Sequence, residues 1–64
     1  MSWYEKLKFA RRVLGLSQRA VARKTGISDA YLCEIEKGRI KDPSFFKILT
    51  LLKLYNLNAD EMDP

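Results

Sequence analysis

In 64 residues the chain has no histidine, one cysteine, two prolines and three glycines. Without histidine it lacks the commonest general base and the commonest metal ligand near neutral pH. A lone cysteine, Cys33, makes no intrachain disulfide and builds no zinc site by itself, which suits a reducing compartment. No apolar run approaches the roughly 18 residues of a membrane span. The opening Met-Ser-Trp-Tyr-Glu has neither the basic nor the apolar segment of a signal peptide. There is no glycine-rich phosphate loop. Glu34 and Glu36 stand two apart in a helical stretch and so face different ways, leaving no paired carboxylates. The expectation is a cytoplasmic, non-enzymatic chain with no metal, cofactor or membrane partner. Sixty-four residues make one domain, near the lower limit for a core that holds without staples.

What is present is positive charge, unevenly placed. The net charge is +4. Residues 1–41 hold ten Lys and Arg against four Asp and Glu, whereas residues 42–64 hold two against four. A basic front and a weakly acidic tail point to a polyanion met by one side of the fold, although a modest excess also suits an ordinary solvated surface.

Apolar spacing predicts an all-α chain of four short helices. The first spans 2–14. Ser2-Trp3-Tyr4-Glu5 reads as its capping box, Leu7, Ala10, Val13 and Leu14 as its buried stripe, and Gly15 as its end. The second runs over 17–25 behind Ser17, with Ala20 and Val21 inward. The third runs over 29–37 behind Ser28 and stops at Gly38. At about 100° per residue, Leu32, Ile35 and Ser28 point one way, Asp29, Ala30, Cys33, Glu34 and Lys37 point the other way, and Tyr31 sits on the flank. A basic loop with Arg39 and Lys41 leads to Pro43 and a fourth helix over 44–55, capped by Asp42 or Ser44. Its expected core stripe is Phe45, Ile48, Leu49, Leu52 and Tyr55, with Phe46, Leu51 and Leu54 as further apolar groups and Asn56 as its end. Asn58-Ala59-Asp60-Glu61 reads as another capping box, opening an incipient helix over 58–63. Either this is a minimal four-helix domain or the chain is a piece of something longer.

Residues 17–36 carry a more specific signal. Ala22 is small enough for a second helix to cross closely, and Gly26, four residues on, turns the chain in the left-handed conformation that glycine tolerates best. Ile27, Leu32 and Ile35 then lock the following helix down, which fits a helix-turn-helix. The segment resembles the helix-turn-helix of the phage repressor and Cro family, also called the xenobiotic-response-element family. Leu7-Lys8-Phe9-Ala10-Arg11 is similar to that family's first helix and Leu16-Ser17-Gln18 to the entry of its second. Ile35-Glu36-Lys37-Gly38 is similar to the close of its recognition helix, and Asp42-Pro43-Ser44-Phe45 to the start of its fourth.

The resemblance implies a compact lambda-repressor-like bundle of four helices with a partial fifth. It also implies a transcriptional regulator that binds double-stranded operator DNA as a homodimer, with the third helix in the major groove. The positions nearest the base edges are then Ser28, Asp29, Ala30, Cys33 and Glu34, and this helix carries no Arg, Asn or Gln, the usual readers of guanine and adenine. Gln18, Arg39 and Lys41 match phosphate anchors, with Arg19, Arg23, Tyr31 and Lys37 as further candidates. Arg11 and Glu36 match a structural ion pair joining the first helix to the end of the third. Phe46, Leu54, Leu57 and Met62 are the candidate dimer surface. The acidic reading face keeps a second class open, a protein-interaction module of antitoxin, anti-regulator or coactivator type with a protein partner.

Overall fold

Each helix opens on a serine. In the computed structural model, which describes residues 1–58 and 60, α1 spans Trp3–Val13, α2 Gln18–Thr25, α3 Asp29–Glu36 and α4 Phe45–Tyr55. The hydroxyls of Ser2, Ser17, Ser28 and Ser44 accept the N–H groups of Glu5, Ala20, Tyr31 and Lys47. These are all the serines the chain has. Such a cap satisfies an orphan donor of the first turn and is worth about 1 kcal/mol. That matters for helices of 8 to 11 residues, which are too short to stand alone in water. At α1 the Glu5 carboxylate also accepts from the Ser2 backbone N–H at 2.9 Å and its hydroxyl at 2.8 Å. These bonds complete the capping box and hold Glu5 below its ordinary pKa. Past the helix ends, Gly15, Gly26, Gly38 and Asn56 all have positive φ.

α2 packs on α3, and α1 packs on both α3 and α4. The core takes Leu7 from α1, Val21 from α2, Ile27 from the turn, Leu32 and Ile35 from α3, and Leu51, Leu52 and Tyr55 from α4, none more than 5% exposed. Among the described residues there is no strand, and no helix is long and apolar enough to cross a membrane.

Two stripes differ from the expectation. On α1, Val13 is 67% and Leu14 51% exposed. The inward line is Trp3, Leu7, Ala10 and Arg11; Val13 falls off that line by angle, and Leu14, on it by angle, is the C-cap at the helix end and is left half-exposed. Leu16 packs against the core in its place. On α4, Phe45 is 74% exposed while Leu51 is 1% exposed. The buried line runs through Ile48, Leu51, Leu52 and Tyr55, and Phe45, in the first turn, overhangs it. The expected helix over 58–63 lies, apart from Asn58 and Asp60, outside the described residues.

Candidate nucleic-acid interface

The turn between α2 and α3 is fixed from both sides. Gly26 has φ of 78°, and its N–H donates to the Ala22 carbonyl at 2.8 Å. The Thr25 hydroxyl donates to the Val21 carbonyl at 2.8 Å and accepts the Ile27 N–H at 3.1 Å. Ile27, Leu32 and Ile35 then bury one side of α3. The opposite side faces out: Asp29, Ala30 and Lys37 are exposed, and Cys33 and Glu34 are half-buried; Ser28, expected on the side of Leu32 and Ile35, is exposed as well, because it is the extended N-cap ahead of the helix. Asp29 lies in the first turn, where its charge complements the positive end of the helix.

The other end of α3 is anchored by Glu36. Arg11 Nε donates to Glu36 Oε2 at 2.7 Å and Nη2 to Oε1 at 3.0 Å, a bidentate pair with side chains only 11% and 4% exposed. Arg11 Nη1 donates to the Leu16 carbonyl at 2.7 Å, and Gln18 Nε2 donates to Glu36 Oε1 at 3.0 Å. One carboxylate thus ties α1, the first residue of α2 and the last residue of α3 together. The hydrogen bond to Glu36 raises the Arg11 pKa above its ordinary value, against desolvation. The buried Tyr55 hydroxyl lies in the same region without a hydrogen-bond partner among the described residues. Burial pushes its pKa up to about 12, with the Glu36 charge adding and Arg11 opposing.

The elements before and after α3 carry exposed cations. Arg19, Arg23, Lys37, Arg39 and Lys41 are exposed. Arg39 Nη1 lies 3.6 Å from Glu34 Oε2, with side chains 64% and 43% exposed, so the pair is weak and easily exchanged. Gln18 has one amide proton on Glu36 and a second to give. The Tyr31 hydroxyl accepts the Ser44 N–H at 3.0 Å and keeps its own proton to donate, while Lys47 Nζ sits 4.2 Å from the ring centroid.

With that arrangement in view, comparison with known proteins decides the family. The sequence matches the family described as "Helix-turn-helix domain" over residues 4–62. The chain belongs to the helix-turn-helix domain family. The matched span takes in α1 from its second residue and everything through α4. The chain is also similar to the uncharacterised HTH-type transcriptional regulator YazB of Bacillus subtilis (strain 168), 34% identical over 62 residues, covering 97% of this chain and 88% of the relative. No solved structure matches significantly.

Within this helix-turn-helix domain some positions matter that the linear sequence does not single out. The Tyr4 ring lies so close over Gly38 that a Cβ there would come within 2.5 Å of Tyr4 Cζ. Lys8 and Arg12 open onto the same trough as Lys37 and Arg39. No local spacing joins residues 8 and 37, so only the tertiary fold brings them together. Of the candidate dimer residues, Phe46 is 81% exposed, and Leu54 and Leu57 pack partly against the chain's own core. Met62 lies outside the described residues. Among the described residues no group of three or more His, Cys, Asp and Glu could hold a metal ion.

Proposed function

We propose that the chain is a DNA-binding transcriptional regulator, a repressor that sets α3 in the major groove of a near-palindromic operator and acts by occluding polymerase. The observation that carries this reading is the outward row of α3, held by a turn whose other side is core, together with the exposed cations of the elements on either side of it in the chain, Arg19 and Arg23 on α2 and Lys37, Arg39 and Lys41 after α3. A helix of ordinary diameter fits the major groove, roughly 12 Å wide. The relative's description as a transcriptional regulator supports the same reading.

In this reading Ser28, Asp29, Ala30, Cys33 and Glu34 meet base edges. Ala30 and the edge of Cys33 suit a thymine methyl, and Asp29 or Glu34 suits cytosine N4. Gln18, Arg19, Arg23, Tyr31, Lys37, Arg39 and Lys41 hold phosphates, aided by the N–H groups at the starts of α2 and α3. With no Arg, Asn or Gln in α3, duplex shape supplies a larger share of the specificity. Phe46, with Leu54, Leu57 and Met62, forms the two-fold contact of a homodimer, and half-sites lie about 34–36 Å apart.

The acid residues Asp29 and Glu34 on the outward face favour a second reading, a protein-interaction module on the same fold. Selection from a random-sequence duplex pool at near-physiological salt separates the two. Enrichment of a two-fold symmetric motif supports the dimeric regulator, and an unpaired half-site would remove the dimer. No enrichment by folded protein would overturn DNA binding in favour of the protein partner.

A further inference from the structure

Beside the C-terminal end of α3 the surface opens into a trough of about 630 Å³, shared by Tyr4, Lys8, Phe9 and Arg12 of α1 and by Lys37 and Arg39 behind α3. All four cations are exposed. Lys8, Arg12 and Lys37 have no ion-pair partner among the described residues. Two carboxylates also line the trough. Glu36 has its charge offset by Arg11, whereas Glu5 is held by neutral donors in the cap of α1 and keeps its charge, which leaves one uncompensated carboxylate against the four cations of the rim. Lys8 and Arg12 stand four residues apart and therefore share a face of α1. The Tyr4 ring pressed on Gly38 holds that face in register with Arg39. Phe9, 59% exposed, adds an apolar surface of the kind a deoxyribose covers.

We infer that α1 belongs to the DNA footprint, with Lys8 and Arg12 engaging the phosphates next along the strand from those met by Lys37 and Arg39. This rests on the DNA-binding reading above and extends it to an element outside the helix-turn-helix. The partner is the phosphodiester backbone, and a contact made to it carries no base preference because phosphate oxygens are the same at every step.

The test uses the full chain and the duplex selected from the random pool, with affinity measured by fluorescence anisotropy from 50 to 200 mM salt. Each phosphate contact contributes about 0.9 to the salt slope, so this fourfold rise weakens binding about 3.5-fold per contact. The double variant Lys8→Ala/Arg12→Ala should lose affinity on selected and unrelated duplexes alike, and its salt-induced loss should shrink by about 3.5-fold per residue removed. On a duplex trimmed to end at the phosphates beside α3, wild type and double variant should bind equally. Lys53→Ala, at the C-terminal end of α4, controls for bulk charge. If the double variant lowers the melting midpoint, Lys8→Gln and Arg12→Gln are read singly. Unchanged affinity and slope in a folded variant would overturn the inference, as would an equal loss in Lys53→Ala. Wild-type protein that binds no duplex even at 50 mM salt would sink the DNA-binding reading itself.

Discussion

Glu36 closes α3 with its carboxylate inside the protein, and three donors from two other elements meet it: Arg11 Nε, Arg11 Nη2 and Gln18 Nε2. A buried charge persists only when paired and hydrogen-bonded. Glu36→Ala leaves the Arg11 guanidinium without its counter-charge, a loss of about 3–5 kcal/mol. A domain of this size has only about 3–10 kcal/mol in total. The variant is expected to melt tens of degrees lower, or to be largely unfolded at 37 °C, and to bind DNA weakly because α3 loses its anchor. An unchanged midpoint in thermal denaturation would remove the structural role. Tyr55 offers the opposite case. Its buried hydroxyl has no partner among the described residues, and its pKa is raised to about 12. In the unfolded chain the phenol ionises near 10. Between those values the unfolded state releases a proton that the folded state keeps. The neutral phenol's contribution is therefore fully present below pH 10 and is lost as pH rises toward 12, about 2–3 kcal/mol in all. Tyr55→Phe should be neutral or stabilising at pH 7 and should resist alkaline unfolding better than wild type. Urea melts at pH 7, 10 and 11.5 check both parts, and equal pH sensitivity of the two proteins would contradict the assignment.

Helix ends and helix faces were not equally legible. A cap is local: a serine before a helical stretch and a left-handed residue after it are visible in a few consecutive letters, and Ser2, Ser17, Ser28, Gly26, Gly38 and Asn56 take up those roles in the structure. A face needs a partner. Eight of the eleven residues of α4 are apolar, so periodicity could not choose between a line through Phe45 and one through Leu51. On α1 the inward line contains Arg11, and apolar spacing has no symbol for a buried ion. The junction of α3 with the following loop shows the same dependence on a distant partner. Gly38 has φ of 73°, and the Tyr4 ring fills the place of a Cβ. Gly26 has a similar φ with open space around it. Gly26→Ala should therefore lose only the conformational term, about 1–2 kcal/mol. Gly38→Ala should lose more and displace α1 from the loop, since the clash is with the middle of a ring. In a double-mutant cycle read by urea denaturation, Tyr4→Ala should recover part of the Gly38→Ala loss and none of the Gly26→Ala loss. Equal losses at the two glycines would show that Tyr4 yields freely.

At the scale of the whole molecule, the Cα extents are 27 × 22 × 18 Å. Half-sites one helical turn apart are roughly 34–36 Å from centre to centre, so under the proposed reading one copy would cover one half-site and a symmetric operator would need two. The charge division between residues 1–41 and 42–64 was plain in the sequence, and the candidate anchors came from the family resemblance. That Glu34 sits beside Arg39, and that Lys8 and Arg12 share a trough with Lys37, were not legible, because those relations belong to packing between elements. The Glu34–Arg39 pair sharpens the last expectation. If Arg39 is a phosphate anchor, Arg39→Ala should weaken binding on every duplex and reduce the salt-induced loss between 50 and 200 mM about 3.5-fold. It also removes Glu34's cation, so any change in preferred sequence should be confined to the base pair facing Glu34. Ala30→Lys tests the reading row. A lysine projecting from the first turns of α3 can donate to guanine O6 and N7, a discrimination of about 1–3 kcal/mol at one base pair. Selection with that variant should therefore enrich a motif changed at one position per half-site, with overall affinity for unrelated duplexes raised only by the added charge. If Arg39→Ala and Ala30→Lys alter affinity and preference in the same way, anchors and readers are not separate sets of residues, and α3 does not lie in the groove as proposed.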